Sequence, residues 1–130
     1  MRCSFWALLL ALACAACAPK ADDAAEVAGR TAKLYYDALL DGKYDVFVAG
    51  IDRHLGEQHD YDVQLLANAK MFVGKQEELH QGIASFEVSR VVCGDSAHAA
   101  NVFLQVHYAD STQELIVVPM VARDDVWLMR

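Results

Sequence analysis

Two imidazoles and four carboxylates fall within eleven consecutive positions, in the run Asp52-Arg53-His54-Leu55-Gly56-Glu57-Gln58-His59-Asp60-Tyr61-Asp62. Side chains of these kinds could ligate a divalent metal or set an acid beside a base. The spacing, however, meets no metal pattern: there is no His-Glu-x-x-His, no cysteine pair, and no calcium loop. A solvated, charged loop is the plainer reading. His80 falls near the end of a helical pattern and suits the negative terminus of that helix. Cys93 sits at a turn with neither a histidine nor a helix start nearby to lower its pKa, which argues against a nucleophile. No stretch calls for a metal or a cofactor.

Whatever chemistry these residues do must be positioned by the last third of the chain, which reads as four antiparallel strands. Ile83 to Val92 alternates in part and stops at Cys93-Gly94-Asp95-Ser96. Ala97 to Tyr108 alternates more cleanly: Ala100, Val102, Leu104, Val106 and Tyr108 share one face, while Asn101, Phe103, Gln105 and His107 share the other. Glu114 to Ala122 is apolar at nearly every position, predicting a strand covered on both faces, with Val117 as interior as Val102 and Leu104. Pro119 cannot donate to a ladder and so marks a bulge, a bend or a locally unpaired edge. Arg123-Asp124-Asp125 turns the chain into Val126 to Met129. Connections this short make consecutive strands neighbours, a meander.

Upstream, the periodicity predicts helices that cover this sheet. Asp23 and Glu26 make a capping-box-like start. Val27, Thr31, Leu34, Tyr35, Ala38 and Leu39 recur at helical spacing until Asp41-Gly42, leaving Arg30, Lys33 and Asp37 for water. Tyr44, Phe47, Val48 and Ile51 predict a short second helix. From about Tyr61, the stripe Leu65, Leu66, Ala69, Phe72, Val73, Gln76 and Leu79 predicts a long third one, with Gly74 as a point where it could bend and Gly82 as its end.

The amino terminus has the three parts of a secretory signal: Arg2, an apolar core from Phe5 to Leu12, and small residues through Ala16. The core is too short to span a bilayer. Ala15-Ala16-Cys17 resembles a bacterial lipoprotein lipobox, which implies a signal over residues 1–16, a lipidated Cys17, a tether over 17–23 and a domain over 24–130. Cys14 is the competing lipid site, and an ordinary cut after Ala16 or Ala18 stays open. With Cys3 and Cys14 removed and Cys17 lipidated, Cys93 would stand alone, so packing must hold the fold together. The net charge of −7 repels nucleic acid and anionic headgroups, leaving acyl chains as the means of membrane attachment.

The phrase Tyr35-Tyr36-Asp37-Ala38-Leu39-Leu40-Asp41-Gly42-Lys43-Tyr44-Asp45-Val46-Phe47 resembles the opening of the NTF2-like (cystatin-like) α+β superfamily. Asp124-Asp125-Val126-Trp127-Leu128 resembles its last hairpin, without the usual Gly. The chain is similar to small bacterial lipoproteins grouped with DUF4878-like domains. The resemblance implies N-terminal helices packed on a curved four-stranded meander, a cone that can enclose a cavity, and it carries over no catalytic residues. If one sheet face lines that cavity, Phe103, Gln105 and His107 are candidate pocket residues, with Tyr35 at the mouth. Steroid-isomerase-like members pair a tyrosine with a carboxylate, but Asp37, Asp41 and Asp45 fall on the polar side or in the turn. The expected function is therefore binding, of a small amphipathic ligand or another envelope protein, at the outer membrane if the host has one. A small cavity enzyme, isomerase- or hydrolase-like, is the alternative, and an adaptor using the outer sheet face is a third.

Overall fold

The computed structural model describes residues 21–53, 59–94 and 96–130, with backbone alone at 21, 22, 59 and 60. Three helices precede one antiparallel sheet. They are α1 (Ala21–Leu40), α2 (Tyr44–Ala49) and α3 (His59–His80); the strands β1 (Ile83–Cys93), β2 (Ala99–Tyr108), β3 (Gln113–Arg123) and β4 (Val126–Met129) pair in chain order. The α+β meander is thus the one expected. α1 starts at Ala21, inside the stretch read as tether, and the signal, Cys17 and residues 54–58 lie outside the described residues.

One face of the sheet holds the core. Ala100, Val102, Leu104, Val106 and Tyr108 of β2 are all buried, as the alternation predicted, and they meet Val118, Met120, Trp127 and Met129 from β3 and β4. Against them α1 lays a stripe of small residues. Ala28 and Ala32 are fully buried, and a Cβ added at Gly29 would come within 2.9 Å of the Val91 side chain on β1. Small side chains let the helix axis approach the sheet, so the buried face of α1 is rotated from the expected one. Val27 and Leu34, predicted to face the core, are exposed.

β3 is covered on one face only, contrary to the two-sided burial expected from its composition. Leu115 and Val117 are 47% and 50% exposed on the far face. A nearly continuous apolar run does not distinguish burial on two faces from an apolar outer surface. Pro119 fits without a bulge, since the β2–β3 register is unbroken from Ala99↔Val121 to His107↔Gln113. Its ring nitrogen lies on the β4 side. There its carbonyl accepts the Arg130 N–H at 2.9 Å, past the end of β4, so no ladder donor is missing. The two irregularities occur in β1 instead, between Ile83 and Ser85 and between Val88 and Arg90, where they bend the strand.

The β3–β4 hairpin turns without glycine. Asp124 and Asp125 both take positive φ, 51° and 64°, as a two-residue turn matched to strand twist requires. On the other side of β4, the Met129 N–H donates to the Gly50 carbonyl at 2.7 Å and the Asp52 N–H to the Met129 carbonyl at 2.6 Å. The segment after α2 is thereby pinned to the last strand. Close by, Tyr35 donates to the Trp127 carbonyl at 2.8 Å, and its ring fills the space a Cβ at Gly50 would occupy.

Candidate functional site

β4 is short. It pairs with β3 only from Met120 to Arg123, so the lane beside the first half of β3 holds no strand. Helices bound that lane without filling it, and a cavity of about 340 Å³ results. Tyr36 and Leu39 of α1 form one wall; Phe47 of α2 and the adjoining Ile51 form a second. Leu65, Asn68, Ala69 and Phe72 of α3 form a third, and Ile116 and Val117 of β3 close it. The volume lies at the lower end of the range for small-molecule sites and equals roughly ten water molecules in bulk.

The lining is apolar except at two side chains. The Tyr36 ring is held edge-on between Phe47 and Phe86, at centroid distances of 5.3 and 5.1 Å. Burial pushes its phenol pKa upward, and the hydroxyl has no hydrogen-bond partner among the described residues. Asn68 accepts from the Gln64 amide at 2.9 Å through Oδ1, which leaves its own NH₂ as a donor. The cavity therefore offers donors in an apolar wall, with no carboxylate and no imidazole among its lining residues. Such a wall can hold an uncharged group by a hydrogen bond, but it has no pair for general acid–base work.

The residues expected to form the pocket lie elsewhere. Phe103, Gln105 and His107 project from the outer face of β2, opposite the helices. There Arg90 stacks on the Phe103 ring at 4.2 Å, and His107 Nε2 lies 3.2 Å from Glu87 Oε2. The alternation placed the three on one face correctly; the error was in which face the cone encloses. Tyr35 is tied to Trp127, and its neighbour Tyr36 takes the cavity wall. Asn68 could have been found from sequence, as a polar residue set among the apolar positions of the third helix.

A second cluster joins the end of α3 to the β2–β3 turn. His80 Nδ1 lies 3.0 Å from Asp110 Oδ2 and 3.3 Å from Thr112 Oγ1, while Thr112 donates both its hydroxyl and its N–H to Asp110 Oδ1. The His80 ring stacks on Tyr108 at 4.0 Å, and Tyr108 donates to Glu114 at 2.6 Å. Burial first, then the bond to Glu114 and the nearby carboxylates, pushes the Tyr108 pKa up to about 12. The Thr112 hydroxyl and N–H, with His80, hold Asp110 below its usual range. A nucleophile–base–acid relay needs the two partners on opposite ring nitrogens. Here both meet Nδ1, so the cluster is a clamp, reinforced by the Asp110 N–H on the His80 carbonyl at 3.1 Å.

Of the polar run at 52–62, His54 to Gln58 lie outside the described residues. Asp52 accepts from Arg123 at 2.8 Å and Asp62 pairs with Arg53 at 2.9 Å, so two of its carboxylates are engaged by guanidinium groups. No described helix is long and apolar enough to cross a membrane.

Comparison with known proteins supports the architecture. A crystal structure from Campylobacter jejuni, a protein carrying the provisional name NTF2-like transpeptidase, superposes with a TM-score of 0.56 at 16% identity, over 75% of this chain and 92% of that one. The fold is NTF2-like. At that identity the likeness speaks for the fold alone. No family profile matches the chain, so the DUF4878-like grouping gains no support. No curated protein matches it either.

Proposed function

We propose that the chain is a lipid-anchored envelope protein whose NTF2-like domain binds, without catalysis, a small and mainly apolar ligand in the cavity beside β3. The observation that carries this reading is the composition of the wall: apolar side chains, the Tyr36 hydroxyl, the Asn68 amide, and neither a carboxylate nor a histidine. A ligand matched to it is uncharged and carries at least one hydrogen-bond acceptor. Cys17 after Ala15-Ala16 supports the anchor, and the acidic surface makes attachment by acyl chains more favourable than attachment by charge.

Two experiments test the parts separately. Cells fed an acyl-chain probe should label the native protein and not the Cys17→Ser variant; a variant that still takes label and still pellets with membranes would remove the anchor at Cys17. Purified Cys17→Ser chain should enhance the fluorescence of the neutral dye phenylnaphthylamine saturably, with one dye per chain. Leu65→Trp together with Ala69→Phe, which narrow the cavity from α3, should abolish that signal. Unaltered dye binding in this double variant would place the site elsewhere.

A further inference from the structure

Resting on that reading, we infer that the natural occupant of the cavity is an extended peptide segment, added to the open edge of β3 in the lane that β4 leaves empty. Backbone groups along a strand alternate between its two sides. Because the Pro119 carbonyl meets Arg130 on the β4 side, the N–H and C=O of Val117 and Leu115, two and four residues back, face that same side. β4 pairs with nothing before Met120, and among the described residues no backbone hydrogen bond reaches either residue from outside the sheet.

Unpaired strand edges are usually blunted by a lysine, a proline, a bulge or a covering element. From Gln113 to Val118, β3 has no lysine or proline and keeps an unbroken register with β2. Its one charge, Glu114, is engaged by Tyr108. The edge instead borders the cavity, whose wall includes Ile116 and Val117. An edge supplying main-chain hydrogen bonds, with an apolar hollow for every second side chain, is the arrangement by which sheets recognise extended peptides.

Phe47 of α2 and Asn68 and Phe72 of α3 border the same space as Ile116 and Val117, so a segment paired to the edge lays alternate side chains against these helices. The fitting segment has apolar residues at alternate positions and no acidic ones, since the wall holds no cation and the chain is acidic.

The probe is an acetylated, amidated peptide alternating valine and threonine with a lysine at each end, added to the Cys17→Ser chain. Amide exchange followed by NMR should slow at least tenfold at Leu115 and Val117, and the peptide should displace phenylnaphthylamine. A peptide N-methylated at alternate residues should bind at least tenfold more weakly. Leu115→Pro removes an edge N–H that the β2 ladder does not use, at a residue outside the cavity wall, and should weaken the peptide equally while keeping the dye; if that variant does not fold, the N-methylated peptide carries the test. Dye binding without peptide protection overturns the inference and leaves the proposed function standing, whereas loss of both overturns both. Equal binding of the N-methylated peptide overturns it as well. So does protection that rises with protein concentration in the absence of peptide, which would assign the edge to a second copy.

Discussion

α1 and α3 are helices of 20 and 22 residues beside the same sheet, yet α1 is seated on its core whereas α3 meets it at its C-terminal end, where the His80 ring stacks on Tyr108. α1 presents Ala28, Gly29 and Ala32, and its backbone sinks until Gly29 nearly touches Val91. Along α3 the one fully enclosed described side chain is Ala69, while Val63, Met71 and Leu79 are more than half exposed. Small residues permit close approach; bulky ones hold a helix at a distance. A long helix held off beside an empty strand lane makes a cavity, whereas the same length of helix seated on a full sheet makes a core.

The largest effect expected from this contrast is in stability. Leu104→Ala, at a site with 0% exposure, should cost about 2–5 kcal/mol in urea unfolding. Phe72→Ala on α3, at 37% exposure, should cost under about 1 kcal/mol, and Val117→Ala similarly little. Equal losses at Leu104 and Phe72 would mean that α3 is seated on the sheet in solution and that the cavity is closed.

One substitution made in each helix sharpens the comparison, because its sign should reverse. At Gly29 a Cβ would lie 2.9 Å from Val91 Cγ2, so Gly29→Ala combines an overpacking cost of about 1–3 kcal/mol with a helix gain of about 1 kcal/mol. The net should be neutral to destabilising. At Gly74 a Cβ would meet nothing within 4 Å, and Gly74→Ala should stabilise by up to about 1 kcal/mol. Thermal melts of both variants beside the parent decide it.

The difference between the helices also explains how much was legible beforehand. The strands were readable because β2 alternates strictly and the turns at Gly94, Ser111 and Asp124-Asp125 punctuate the run; each strand boundary fell within two residues of its predicted place. Helical periodicity located α1 and α3 but could not say how near each would lie to the sheet. That depends on whether a partner surface exists at each position. Val27 and Leu34 looked core-facing because they are large, yet the small residues beside them set the contact. For the same reason the pocket was assigned to Phe103, Gln105 and His107: the pleat groups residues by face, but the side the helices cover is a tertiary outcome.

The clamp that ties α3 to the β2–β3 turn gives the comparison a pH dependence. Asp110 is held below its usual range, so the folded state binds fewer protons there than the unfolded chain; its contribution is present above the unfolded pKa and fades as pH falls through the folded one. Tyr108 is raised from 10.0 to about 12. Its contribution is complete below 10 and is lost as pH rises toward 12. Asp110→Asn should therefore flatten the acid limb of the stability profile. By removing the smallest of the influences that raise Tyr108, it should move the alkaline limb only slightly toward lower pH. Amide exchange should quicken at the end of α3 before it does in α1.

The smallest expected effect lies in the cavity wall itself. Tyr36 belongs to α1, the seated helix, but its hydroxyl has no partner among the described residues and its pKa is raised by burial. A hydroxyl that makes no hydrogen bond adds nothing to folding, and removing one that is partly desolvated relieves a cost. Tyr36→Phe should thus leave stability unchanged or raise it by less than about 1 kcal/mol, with both aromatic contacts intact. Its effect should appear in binding alone. Affinity for a ligand bearing an acceptor should fall about fivefold to tenfold, the worth of one neutral hydrogen bond at about 1 kcal/mol, while an apolar ligand without an acceptor should bind as before. Titrating the same variant with the two ligands separates a tyrosine kept for the core from one kept for the cavity, since only the second predicts that the losses differ.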